Sequence, residues 1–84
     1  MTYTVLITRV AERELDRLPA EIHNRITQRV LRLEDNPRQA GTLKLRAQEE
    51  YRIRVGDYRV LYQIDDKSQT VTIVSVAHRS EAYR

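Results

Sequence analysis

An α+β domain of order βααββββ, with a two-helix hairpin packed on one face of a small, mostly antiparallel twisted sheet, is the fold this sequence predicts. Two consecutive early segments carry apolar residues at helical spacing, and each is followed by a proline, Pro19 and Pro37. The second half is rich in alternating and β-branched residues, divided by Gly56-Asp57 and by Asp65-Asp66-Lys67-Ser68. Helices grouped together and strands grouped together bury their apolar faces by layering one on the other. A length of 84 residues allows one domain, spanning 1–84, with one modest core.

Thr2 to Thr8 reads as the first strand, with Tyr3, Val5 and Ile7 alternating against Thr4, Leu6 and Thr8. Thr8 is the expected N-cap of a helix reaching about Leu18, with Ala11, Leu15 and Leu18 on one face. Pro19 breaks that helix and suits the first position of the next. The second helix runs from about Ala20 to Glu34, with Ile22, Ile26, Val30 and Leu33 as its apolar stripe, and Asn36-Pro37 ends it. Arg38 to Thr42 is a connection containing Gly41, and Leu43 to Arg46 a short strand. Tyr51 to Asp65 reads as a hairpin around Gly56-Asp57. The last strand is Thr70 to His78. Its apolar residues Val71, Ile73, Val74 and Val76 fall on both parities, which predicts a central strand covered partly on both faces.

The chain has no cysteine, so disulfides and thiolate metal sites are excluded. The N-terminus lacks the apolar core of a signal peptide, and no run approaches the ~20 apolar residues of a membrane span. The expectation is a cytoplasmic protein without a membrane partner. The net charge is +3, and every basic residue except Lys44 and Lys67 is arginine. GC-rich coding or phosphate recognition would each produce that preference. Coding bias does not explain where the arginines fall.

Arg52 and Arg54 lie two apart, so on a strand they share a face, while Ile53 and Val55 take the other. Arg59 begins the return strand, where a hairpin can set it across from them. The three read either as an ordinary solvent-facing strand or as a cradle for phosphate oxygens. Like charges on neighbouring strands repel unless an anion offsets them, which favours the cradle. His78 reads as a partly buried polar residue or as a proton donor or acceptor near neutral pH. Tyr83 reads as a packing clip or a base-stacking platform. His23 falls on a helix surface. Arg25, Arg29 and Arg32, spaced 4 and 3 apart, form a basic stripe that reads as a solvated face or, second to that, as a surface for an acidic partner. Zinc-ligand spacing, a phosphate-binding glycine loop, a Ser-His-Asp set and paired carboxylates are all missing. No metal or cofactor is therefore expected.

The stretch Y-R-I-R-V-G-D-Y-R-V-L-Y-Q-I-D-D at Tyr51 to Asp66 and the tail H-R-S-E-A-Y-R at His78 to Arg84 resemble the RelE/ParE superfamily of type II toxin–antitoxin systems. So do A-x-x-x-L-x-x-L-P at Ala11 to Pro19, N-P at Asn36-Pro37 and L-K-L-R at Leu43 to Arg46. The resemblance covers nearly the whole chain, and the tail favours the RelE branch.

It implies a ribosome-dependent endoribonuclease that cleaves mRNA in the A site. The 2′-hydroxyl would attack the adjacent phosphate, leaving a 2′,3′-cyclic phosphate and a 5′-hydroxyl. By position, Arg52 and Arg54 fall on strand lysines or arginines, Arg59 and Arg79 on phosphate-contacting arginines, and Tyr83 on a base-stacking tyrosine. Lys44, Arg46 and Arg84 are expected to contact RNA beside them. Lysines stand at the positions of Arg52 and Arg54 in the best-known member, one of them a proposed general base. Arginine, which stays protonated at any physiological pH, is a poor base. The expectation is therefore that His78 or Tyr83 handles the protons, or that proton transfer is weakly catalysed.

The implied partners are a RelB-like or other type II antitoxin, the ribosome and mRNA. Operator DNA would be met only through the toxin–antitoxin complex. The antitoxin would lay a helix on the arginine-bearing face or displace the tail near Tyr83. The same fold also admits a ParE-like inhibitor of DNA gyrase, or an inactive homologue that only binds antitoxin.

Overall fold

The computed structural model describes residues 2–45, 50–78 and 80. Within them the chain forms β1 (Thr4–Ile7), α1 (Arg9–Asp16), α2 (Ala20–Arg32), β2 (Leu43–Lys44), β3 (Glu50–Val55), β4 (Tyr58–Asp65) and β5 (Thr70–His78). The expected element order holds. The strands make one sheet in the order β1-β5-β4-β3-β2, with β1 parallel to β5 and every other pairing antiparallel.

Thr8 caps α1 as its sequence position requires: its Oγ1 accepts from the Ala11 amide at 3.2 Å. Both helices stop about two residues before the expected ends. The amide of Leu18 donates to Leu15 O and that of Leu33 to Val30 O, so each last turn tightens to i→i−3 bonding. Pro19 stands one place earlier than expected, as the N-cap of α2, with its carbonyl accepting from the His23 amide. The short strand expected at Leu43 to Arg46 ends at Lys44, with Leu45 beyond it, and Arg46 lies outside the described residues.

Both helices pack on one face of the sheet. Ala11 and Leu15 from α1 and Ile26, Val30 and Leu33 at α2 join Tyr51, Ile53, Val55, Val60, Tyr62, Ile64, Val71, Ile73 and Val76 in a single buried cluster. The two-parity pattern of β5 has a different cause from two-sided burial. Ser75 opposes Leu61 while Ile73 opposes Tyr62, so Val74 is an extra residue in a β-bulge. The bulge reverses the alternation, and Val71, Ile73 and Val76 all end up buried in the one core.

β1 is too short to cover β5, and α1 takes over where it ends. The Thr8 amide donates to Ile73 O and its hydroxyl to Val74 O, each at 3.1 Å. Farther along, Glu14 Oε1 accepts from the Val76 amide at 2.9 Å and from Ser75 Oγ at 3.1 Å. Backbone groups that would form an open sheet edge are thus satisfied by a cap and a carboxylate.

The connection between α2 and β2 is fastened to the sheet by buried tyrosines. Tyr62, fully buried, donates its O–H to Pro37 O at 2.8 Å and meets Thr42 Oγ1 at 3.1 Å. Its ring stacks on Tyr51 with centroids 5.9 Å apart. Arg38 lies over the Tyr51 ring, donates to the Tyr51 hydroxyl at 3.1 Å, and forks onto Asp66 at 3.0 and 3.2 Å. Tyr3 donates to the same carboxylate at 2.6 Å. Gln39 and Arg29 exchange two bonds of 3.1 Å.

Candidate functional site

β3 and β4 decide which side chains face away from the helices. Tyr51, Ile53 and Val55 point into the core, which turns Glu50, Arg52 and Arg54 outward. Gly56 makes the tight turn possible: its φ of +59° is a conformation that a side chain disfavours. Across that turn Arg54 pairs directly with Arg59, and Arg52 with Leu61. Cβ atoms of such pairs stand about 4.5–5.5 Å apart, so Arg54 and Arg59 are the nearest like charges on this face. Farther from the turn the same face carries Glu50, Gln63 and Asp65. The outward face is therefore cationic at the hairpin tip and acidic at its far end.

The three arginines are not equally displayed. Arg54 is exposed and Arg52 half-buried, but Arg59 is only 6% exposed. The reading of all three as one solvent-facing strand does not hold for Arg59, which is buried. It sits on an inner strand, between β3 and β5, and opposite Ala77, whose small side chain leaves room for a long one to lie down. A guanidinium buried there is fixed in position, which suits the holding of a developing charge.

His78 is not brought to these arginines. It pairs with Tyr58, lies on the helix side of the sheet, and meets the Tyr58 ring edge-on at 5.2 Å. Glu14, Arg17 and Leu18 border the hollow beside it. Its Nδ1 accepts from the Ser80 amide at 3.3 Å and lies 2.9 Å from Ser80 Oγ, which leaves Nε2 to carry the proton of the neutral ring. Lys44 likewise pairs with Tyr51 and falls on the helix side, while its neighbour Leu43 stands beside Arg52 on the outward face, 49% exposed. Arg46, Arg79, Tyr83 and Arg84 lie outside the described residues.

The titratable groups with clear shifts belong to the tyrosine fastening rather than to this face. The hydrogen bond from Arg38, then that from Tyr3, holds the Asp66 carboxyl below the usual carboxylate range. Tyr3 is raised chiefly by donating to Asp66, and Arg38 is raised by the same carboxylate. Burial raises Tyr62. These groups keep their ordinary charges through neutral pH, and their work is structural. No group of three or more metal-binding side chains occurs among the described residues. Among the same residues, no helix is long and apolar enough to cross a membrane.

One feature of the surface went unread in the sequence. Arg25, Gln28, Arg29 and Arg32 of α2 line a cleft of about 180 Å³ together with Arg54, Val55 and Gly56. The helical spacing of these arginines was visible. That α2 crosses β3 so as to set them beside Arg54 is a tertiary fact.

A family model described as ParE toxin of type II toxin–antitoxin system, parDE, matches residues 5–83. The chain belongs to the RelE/ParE toxin family. This RelE/ParE toxin is 37% identical to toxin RelG of Mycobacterium tuberculosis over 100% of its own length and 99% of the relative's. It is 40% identical to toxin RelE of the same organism, over 98% of this chain and 87% of the other. The toxin–antitoxin complex RelBE2 of that organism superimposes with a TM-score of 0.82 at 35% identity, covering 94% of this chain and 100% of that one. These relatives bear RelE and RelG names, although the matching family model carries the ParE name. The expected fold and family hold, and the protein is a toxin of a type II toxin–antitoxin system.

Proposed function

We propose that this toxin cleaves mRNA in the ribosomal A site, as a metal-independent endoribonuclease of the RelE kind. The observation that supports it most is the direct pairing of exposed Arg54 with buried Arg59 at the hairpin tip. Attack of a 2′-hydroxyl on the adjacent phosphorus builds negative charge on the non-bridging oxygens. A fixed guanidinium below and a reachable one above can hold that charge, with Arg52 one pleat away. None of the three can accept the 2′-hydroxyl proton. His78 stands on the opposite side of the sheet, so the proton falls to Tyr83 or to a group supplied by the ribosome. Tyr83 would also stack on the substrate base, and Arg79 would add a further phosphate contact. The cytoplasm follows from the ribosome as the place of work. A RelB-like antitoxin would neutralise the toxin by covering the arginine face, and operator DNA would be met only through that complex.

The test is primer extension on a defined mRNA with 70S ribosomes. New 3′ ends at A-site codons are expected from the wild-type protein. Arg54→Ala should lower the single-turnover rate by about 10²–10³-fold, the usual loss for one positioned charge stabiliser. Because Arg54 is exposed, its removal should leave the melting temperature nearly unchanged, whereas Arg59→Ala would mix loss of chemistry with loss of packing. Intact mRNA from folded wild-type protein would sink the nuclease reading. A gyrase cleavage assay would then separate a ParE-like inhibitor from an inactive homologue.

A further inference from the structure

The cleft between α2 and the tip of the β3–β4 hairpin brings four arginines from two distant parts of the chain to one small hollow. Arg25, Arg29 and Arg32 come from successive turns of α2, and Arg54 comes from β3. Gln28 adds an amide, and among the described residues no carboxylate lines it. Glu21 and Asp57 line the neighbouring hollow instead. Arg25 reaches the hairpin itself: its Nη1 lies 3.6 Å from where a Cβ would stand on Gly56. Arg29 is steadied through Nε by Gln39. Among the described residues, no ion pair with a carboxylate is found for Arg25, Arg29, Arg32 or Arg54. Like charges gathered without a counter-charge disfavour the fold unless an anion meets them. The hollow, about 180 Å³, is large enough to receive a phosphate group.

Arg54 lines this cleft from β3, and the strand alternation turns its side chain to the outward face that carries Arg52 and Arg59, so the cleft adjoins that face. We infer that the cleft is a second phosphate subsite, occupied by the backbone of the same single RNA strand as it leaves the arginine face and passes the hairpin tip. Guanidinium forks recognise phosphodiesters without reading sequence, so this subsite would add affinity and register but no codon preference. The inference rests on the reading of the outward face as an RNA site.

The experiment measures binding rather than cleavage. Fluorescence anisotropy with 2′-O-methyl single-stranded RNA, which lacks the attacking hydroxyl, is recorded over a salt series. Oligonucleotides of about 4 and about 12 nucleotides are compared, the range that a small domain covers. Arg25→Gln/Arg32→Gln should flatten the salt slope for the longer RNA by about 1.4, two phosphate contacts at about 0.7 each on a single strand. Binding of the shorter RNA should be unchanged. Gln28→Glu, which places a carboxylate in the cleft, should weaken the longer RNA alone and serves as the second variant if the double one fails to fold.

An unchanged slope, an equal effect on both lengths, or no binding of either RNA by the wild-type protein would overturn the proposal. Cleft-dependent binding without any 70S cleavage would instead overturn the nuclease reading and leave the subsite standing.

Discussion

Replacing Tyr62 with Phe removes one oxygen from the centre of the fold, and the structure sets the cost. Tyr62 has a single hydroxyl proton, and Pro37 O at 2.8 Å receives it. Thr42 must therefore donate its own proton to the Tyr62 oxygen across the 3.1 Å contact. In Tyr62→Phe the buried carbonyl of Pro37 loses its donor, at about 1–3 kcal/mol for an unsatisfied buried group. Thr42 is half-buried and can turn to water, which adds little. Stacking of the ring on Tyr51 and its full burial are retained. The expected loss is about 2 kcal/mol, or a fall of about 8–16 °C in Tm for a domain of this size. Thr42→Val should cost less than about 1 kcal/mol, because Tyr62 still donates to Pro37. The double variant should cost about as much as Tyr62→Phe alone, because the Tyr–Thr bond can be lost only once. Urea unfolding followed by circular dichroism gives all three values. A loss below about 0.5 kcal/mol for Tyr62→Phe, or strict additivity of the two changes, would refute this account of the fastening.

Asp66→Asn removes the ion pair with Arg38 while keeping an acceptor for Tyr3. Since the folded carboxyl titrates below its unfolded value near ~3.9, its stabilisation is present above that pH and lost as pH falls through the folded pKa. Wild type should be the more stable protein at pH 6, and the two melting curves should converge towards pH 2; a gap that does not narrow on acidification would contradict the pairing. Thr8→Ala deletes both the α1 cap and the bond to Val74 O, so about 1–2 kcal/mol should be lost, with Thr8→Ser recovering most of it. Equal stabilities for the alanine and serine variants would show that the hydroxyl is not what matters.

Element order, both helix faces, the Thr8 cap and the Gly56-Asp57 turn were all legible because each depends on residues within one or two turns of one another. Periodicity, capping and left-handed turns are local physics, and tertiary packing had only to agree with them. The grouping of Arg52 with Arg54 was legible for the same reason, since a strand alternates whatever lies beside it.

What tertiary structure decided was everything that depends on which strand lies next to which. The bulge at Val74 is forced by the register of β5 against β4, so the sequence pattern alone could not tell a parity shift from burial on two faces. Arg59 and Arg54 are both arginines one residue from a strand end. One is buried and the other exposed because β4 lies inside the sheet and β3 near its edge. His78 was grouped with the arginines by sequence proximity to the tail, yet the strand pleat carries its side chain to the helix side. The arginine stripe of α2 read as a solvated face until the crossing of α2 over β3 placed Arg54 beside it. A local pattern specifies what a side chain is and which neighbours along the chain share its face. Long-range pairing alone settles what stands across from it, and charge interactions at a site depend on that distance.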